Sequence, residues 1–207
     1  MTLGLRLSAL IGGMASVACS STEEPEQRPR GALVDHQKWA LLEGADDPFA
    51  TERPPEVNCP PSEVAYENSG GEEAIEVNTF TCNYVSVGQA SLLNVVAGDK
   101  IRLRGWRGRS TASGPAEAHI AIMLGETLLF DKTYRIPCST GGPLCPRSDD
   151  PCNDAGVSAV PPCDTTVQPL IEAEADAPKG SLVVFHVHNH GDNRYSLIEM
   201  SIEELAP

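Results

Sequence analysis

No stretch of this chain holds the roughly twenty consecutive apolar residues that a bilayer-spanning helix needs. Positive charge is scarce: 15 Lys and Arg stand against 29 Asp and Glu, a formal net charge of −14. Such a chain repels nucleic acid and anionic lipid head groups. Long helical periodicity is missing, and so is any internal repeat. No Gly-x-Ser-x-Gly elbow presents a nucleophile. No Gly-rich, phosphate-cradling turn precedes a helix. None of the cysteine spacings is the tight pair used by zinc ribbons and fingers. The sequence marks no catalyst. Glu199 with His186 could act as an acid–base pair, but nothing marks a substrate for them.

The amino terminus is informative. Arg6 supplies a positive charge, and Leu7 to Ala18 form a short, mostly apolar stretch. At about twelve residues it is a signal-peptide core rather than a membrane span. Ser16, Val17 and Ala18 lead to Cys19. This arrangement resembles the lipobox of bacterial lipoproteins, in which cleavage precedes a cysteine that carries lipid. The resemblance implies lipidation at Cys19, and Ser20 after it implies delivery to the outer membrane, facing the periplasm or the cell surface. Ser16 stands where that family usually has Leu. Ser16-Val17-Ala18 is also small-x-small, so ordinary cleavage after Ala18 is the alternative. Loss of Arg6 with the leader would take the net charge from −14 to −15.

Seven cysteines are an awkward number for an exported protein. Setting Cys19 aside as the lipid carrier leaves Cys59, Cys82, Cys138, Cys145, Cys152 and Cys163, enough for three bridges in an oxidising compartment. The simplest arrangement pairs Cys59 with Cys82 and the later four among themselves. Residues 19–58 are rich in Glu, Pro and Arg and read as a tether, with a short helix expected over Asp35 to Glu43. That piece is expected to dock, because Trp39 and Phe49 would otherwise be unprotected. Residues 59–207 are enough for one domain with a core.

Frequent Gly and Pro and β-branched runs between turn signals predict an all-β fold, an antiparallel β-sandwich of jelly-roll type. Strands are expected near Glu73–Val87, Lys100–Trp106, Glu117–Leu124, Thr127–Arg135, Val167–Ala173, Ser181–His188 and Arg194–Glu203. Residues 136–164 hold four cysteines and several prolines and read as a long disulfide-stapled loop. Within it, Asp149 to Asp154 offers oxygen ligands to calcium but lacks the spacing of a known calcium loop.

Alternation with a period of two sorts the strand residues by face. Ile101 and Leu103 take the core, so Arg102, Arg104 and Trp106 take the other side. Ala118, Ile120 and Ile122 take the core, leaving His119 outside. Val183, Phe185 and Val187 take the core, leaving His186 and His188 outside. If Ser181–His188 and Arg194–Ile202 form a hairpin about Asn189–Asn193, His188 lies opposite Tyr195, His186 lies opposite Leu197, and Glu199 sits diagonal to His186. His190 falls in the turn. Five of the fourteen Lys and Arg that follow Arg6 lie between Lys100 and Arg109.

Two functional readings follow. In one, the outer face binds a glycan or an anionic envelope polymer: Trp106 or Tyr195 stacks on a sugar, and Arg102 and Arg104 pair with acidic groups. The segment from Ala97 to Leu103 and the final strand pair resemble jelly-roll carbohydrate-binding and galactose-binding-like modules. That resemblance implies a binding module and not a catalyst, and no cofactor is expected on this reading. In the other, His186, His188 and either His190 or His119 hold copper or zinc, since a His-x-His pair on a strand points both rings one way. Gly180 to His188 also resembles the opening of a cupin metal motif. The acid expected soon after it is met only by Asp192, and the second motif has no room before Pro207. The competing reading is purely structural: His186 covers Leu197, His190 satisfies turn amides, and the Arg and Trp side chains pack on the docked tether.

Overall fold

The computed structural model describes residues 31–69, 71–107, 116–136 and 165–203. Residues 1–30 with Cys19, the later cysteines Cys138, Cys145, Cys152 and Cys163, Arg109 and the acidic run 149–154 lie outside the described residues.

Alternating burial makes the described residues a two-sheet sandwich. In Lys100–Arg107 (β6), Ile101 and Leu103 are buried while Arg102 and Arg104 are only partly so. In Leu182–Asn189 (β11), Val183, Phe185 and Val187 join the same core. The other strands are Gly31–Ala32 (β1), Ala40–Leu41 (β2), Val64–Ser69 (β3), Glu72–Asn78 (β4), Tyr84–Ala90 (β5), Ala116–Leu124 (β7), Thr127–Ile136 (β8), Thr165–Val167 (β9), Leu170–Glu172 (β10) and Arg194–Ile202 (β12). Sheet 1 runs β10-β6-β12-β4-β3, with β1 also on β12 and β9 also on β6. Sheet 2 runs β2-β5-β11-β7-β8. All the pairings are antiparallel. The inner faces meet over one apolar core that includes Val77, Val87, Leu103, Phe185, Leu197 and Met200. The β7–β8 hairpin turns at Gly125, whose φ of +59° is the left-handed conformation a tight reversal requires.

Several expectations need correction. The stretch expected as one strand over 73–87 is two, β4 and β5, which lie in different sheets. The chain crosses between them at residues 79–83, where the Thr79 hydroxyl donates to the Asn193 carbonyl (3.0 Å) and Cys82 is bonded to Cys59. That disulfide is the pairing expected for these two cysteines. Strand β3 was not expected, because an exposed edge strand of polar composition carries little alternation to detect.

The predicted terminal hairpin is also absent. β11 pairs with β5 and β7 in sheet 2, and β12 pairs with β4, β6 and β1 in sheet 1. Residues 190–193 therefore carry the chain from one sheet to the other. A β-bulge between Leu197 and Glu199 shifts the alternation along β12. Tyr195 and Leu197 are thereby turned into the core along with Met200, so neither faces a strand-11 histidine.

No helix forms over 35–43. Residues 31–41 instead bridge the two sheets. Leu33 is fully buried, its N–H donating to Met200 of sheet 1 (2.8 Å) and its carbonyl accepting from Leu92 (2.9 Å). His36 accepts the Trp39 indole N–H at Nδ1 (3.3 Å), which leaves Nε2 to donate to the Ile198 carbonyl (3.0 Å). Residues 42–57 then lie as a strap across the outer face of sheet 2. Leu42 passes over β5 at Gly88, where a Cβ would meet its methyls at 2.9–3.0 Å.

Candidate functional site

The outer face of sheet 2 gathers the histidines. Two neighbouring rungs can be read directly from the register. One carries Tyr84, His188, His119 and Thr133 on β5, β11, β7 and β8; the next carries Ser86, His186, Ala121 and Asp131. His119 thus faces His188 across the strand pair and is diagonal to His186, with ring centroids 5.4 Å apart. His190, past the end of β11, holds its ring 4.7 Å from that of His188 and tilted 60° to it. All four histidines singled out in the sequence lie on this one face.

The strap completes the arrangement. Ser86 and Ala121 are small, and they leave room beside His186 for the Phe49 ring, which stacks on the imidazole at 4.3 Å with an interplanar angle of 16°. Asp47 holds the strap down. Its carboxylate accepts the Phe49 N–H (3.0 Å) and the Tyr84 hydroxyl (2.6 Å), with Arg53 at 4.0 Å. Burial and this bond to Asp47 push the Tyr84 phenol well above its ordinary range. At the end of a short 3-10 turn, Ala50–Glu52, the Glu52 carboxylate reaches His119 Nδ1 (2.8 Å), while Asp131 reaches His119 Nε2 (2.8 Å).

His186 is fully buried. Its Nδ1 bonds the Ser86 hydroxyl (2.9 Å), and its Nε2 has no hydrogen-bond partner among the described residues. A buried polar atom left unpaired costs about 1–3 kcal/mol. Burial pushes the His186 imidazole down to about 3, with His119 and His188 adding to the shift and Asp47 opposing it. His186 is therefore a neutral imidazole at physiological pH. Burial and the neighbouring His190 lower His188 as well, against the pull of Glu52. The His188 Nε2 is likewise buried and unpartnered. Beside these rings lies an open recess of about 380 Å³, lined by Glu52, Glu117, His119, Asp131, Thr133, His188 and His190.

The second set of sequence candidates lies on the opposite side of the molecule. Arg102, Arg104 and Trp106 point outward from sheet 1, as alternation requires. Arg104, Trp106, Glu67, Glu72, Glu76, Ala74, Gln168, Ser196 and Ile198 line an open groove of about 440 Å³. The arginines are not free: Arg102 is paired with Glu203, and Arg104 with Glu72 (2.6 Å) and Glu199 (3.3 Å). Those two carboxylates raise the Arg104 guanidinium further above its ordinary range. Glu199 is therefore a partner of Arg104 and not of His186, which lies in the other sheet. Tyr195 does not belong to this surface. It is 1% exposed, and its hydroxyl donates to Asn189 (3.1 Å), because the bulge in β12 turns it inward.

Sequence reasoning missed Asp47, Glu52, Ser86 and Asp131. Asp131 was hidden by a β-bulge: unbroken alternation from the Gly125 turn sets it opposite Ile120, and the register shift between Ile122 and Met123 is what moves it opposite Ala121, on the His119 face. Glu52 carries no local signal, as it is a strap residue 67 positions before His119.

No protein-family model matches the chain, and no curated protein matches it in sequence. Among solved structures it is similar to the adhesin domain K2 of Lys-gingipain, with 13% identity over 87% of this chain and 95% of that one, TM-score 0.43. It is also similar to CBM28, a carbohydrate-binding module specific for non-crystalline cellulose (13% identity, 86% and 97% covered, TM-score 0.40). A third is the C-terminal CBM6 of the laminarinase LamC from Zobellia galactanivorans (14% identity, 69% and 89% covered, TM-score 0.35). At such scores the likeness carries no inference to what this chain binds; its two-sheet architecture rests on its own strand pairing.

Proposed function

We propose that the chain is an exported β-sandwich binding module that takes a neutral glycan in the groove of sheet 1. The supporting observation is the groove itself. An indole, Trp106, sits among carboxylate, amide, hydroxyl and guanidinium groups that can bond sugar hydroxyls, in an open trough rather than a closed cavity. Its charge selects the kind of sugar. Glu67, Glu72 and Glu76 outnumber Arg104, and Arg102 and Arg104 are already engaged by carboxylates. An anionic polymer would meet net repulsion there, so the reading narrows from the anionic envelope polymer to an uncharged one.

The test is affinity electrophoresis of the full chain through gels containing soluble β-glucan, galactomannan or polygalacturonate. Retardation by a neutral polymer, lost in Trp106→Ala with the circular dichroism spectrum unchanged, supports the groove. Retardation by polygalacturonate alone, retardation indifferent to Trp106→Ala, or no retardation by either neutral polymer would end this reading. Anchoring through lipid on Cys19 belongs to the same proposal, since a tethered module would hold the glycan at the envelope. Cys19→Ala should move the protein from the membrane fraction to the soluble one, and a wild-type protein that is already soluble refutes the anchor.

A further inference from the structure

The face of sheet 2 opposite the glycan groove carries a second inference. We propose that Glu52, His119 and His186 hold one divalent transition-metal ion, zinc or copper, which clasps the strap to the sheet. Each of these residues offers a ligand atom, and the three atoms lie within 4.8 Å of one another. Two imidazoles and a carboxylate suit zinc or copper, whereas calcium and magnesium take cages of oxygen.

The ligand set is not merely a cluster of polar side chains. His186 is fully buried, clamped under Phe49, with Nδ1 fixed by Ser86 and the other ring nitrogen unpartnered. Coordination would give that nitrogen the partner that no described residue supplies. His119 has the two-sided arrangement a metal-binding imidazole needs. Carboxylates stand at both ring nitrogens, so one nitrogen can ligate while the other donates to Asp131 and is held in its tautomer. Ligands around tetrahedral zinc stand roughly 3.3 Å apart, from metal–ligand distances of about 2.0–2.1 Å. Drawing the set together therefore takes a shift of about 1.5 Å at most. Glu52, 44% exposed on the strap, is the member free to move. Three protein ligands leave a position for water or an oxygen ligand from the recess that Glu52 and His119 also line.

Two sheet residues and one strap residue around one ion would couple metal binding to the strap's docking, adding to the hold of Phe49 and Asp47. The experiment uses the full chain with its cysteines oxidised, stripped by a chelator and then titrated calorimetrically with Zn²⁺, Cu²⁺, Ca²⁺ and Mg²⁺. One equivalent of zinc or copper should bind per chain and raise the unfolding temperature, while calcium and magnesium should do neither. Glu52→Ala and His119→Gln should each weaken zinc at least tenfold and abolish the thermal shift. Both side chains are reachable from the surface, so these variants should fold, unlike substitutions at His186. ¹¹³Cd bound to the wild type should show a resonance of mixed nitrogen and oxygen coordination, displaced in His119→Gln. Absence of stoichiometric zinc or copper binding overturns the proposal. So does binding of equal strength in both variants, which would place the ion elsewhere on the chain. The glycan groove is untouched by either substitution, so the two proposals stand or fall separately.

Discussion

The two outer faces of this sandwich are built by the same alternation and have opposite chemistry. On sheet 1 the outward residues are long and charged. Arg102 with Glu203, and Arg104 with Glu72 and Glu199, reach solvent as neutralising pairs. On sheet 2 the outward residues are short or aromatic: Ser86, Ala121, Tyr84, His186 and His188. They can be covered, and the strap covers them. Phe49, Tyr84, Ala121 and Val184 form a second apolar cluster there, separate from the core between the sheets. Outward direction on a strand thus does not mean exposure. Side-chain length and the presence of something to lay over the face decide which polar atoms stay wet and which must find a partner.

The largest test of that contrast is the removal of the strap's anchor. Phe49 is 7% exposed and fills the space over His186. Phe49→Ala should cost about 3 kcal/mol in urea unfolding, the lower end for deleting a buried Phe ring. A loss below about 1 kcal/mol would mean that the strap is not part of the cooperative unit, and the two faces would then be alike.

Next in size is Tyr84→Phe. The phenol hydroxyl bonds Asp47 Oδ2 (2.6 Å) and lies 2.8 Å from the Phe49 carbonyl. Its loss leaves the buried Asp47 carboxylate with the Phe49 N–H and a distant Arg53. The expected cost is about 1–3 kcal/mol, the penalty for a buried acceptor stripped of a donor. The same denaturation measured on Tyr66→Phe, where the hydroxyl is exposed, should show almost no change.

How much of this was legible in the sequence follows from the range of each signal. Period-two alternation is local, so it placed Ile101 and Leu103 inward and Arg102, Arg104, His119, His186 and His188 outward. The nearest disulfide pairing, Cys59 with Cys82, was legible for the same reason. What alternation cannot reveal is which strands share a sheet. The terminal strands were expected as a hairpin because a turn-rich run joins them, yet that run crosses between sheets. The bulge at Leu197 then reversed the expected face of Tyr195. The strap was read as a tether on its composition, since its burial depends on a face made by β5, β7 and β11. Phe49 was the one sign of docking that the segment carried.

A smaller effect is expected where the chain passes between the two faces. Burial lowers the His36 imidazole, and its Nδ1 is already an acceptor for Trp39. The folded pKa thus lies below the ordinary value of about 6.5. Its contribution to stability is complete above about 6.5 and is lost as pH falls from there toward the folded pKa. In His36→Gln the amide can accept from Trp39 and donate to Ile198 without titrating. The urea midpoint of the wild type should therefore fall more steeply than that of the variant between pH 7 and pH 5. Parallel slopes would show that His36 is not sensing burial.

The smallest effect belongs to the open face, and its smallness is what gives it meaning. Arg104 makes two ion pairs, with Glu72 at 2.6 Å and Glu199 at 3.3 Å, and Glu72 is 57% exposed. Exposed ion pairs contribute about 0–1 kcal/mol because water screens them and two long side chains must be held still. Arg104→Met keeps the aliphatic stem on the sheet and removes only the charge. It should shift the urea midpoint by less than about 1 kcal/mol equivalent. In the same variant, retardation by neutral glycan should weaken, since Arg104 lines the groove beside Trp106. Stability preserved with binding impaired would show that the charges of sheet 1 are arranged for a ligand rather than for the fold. A loss as large as that of Phe49→Ala would make the charged face as structural as the covered one.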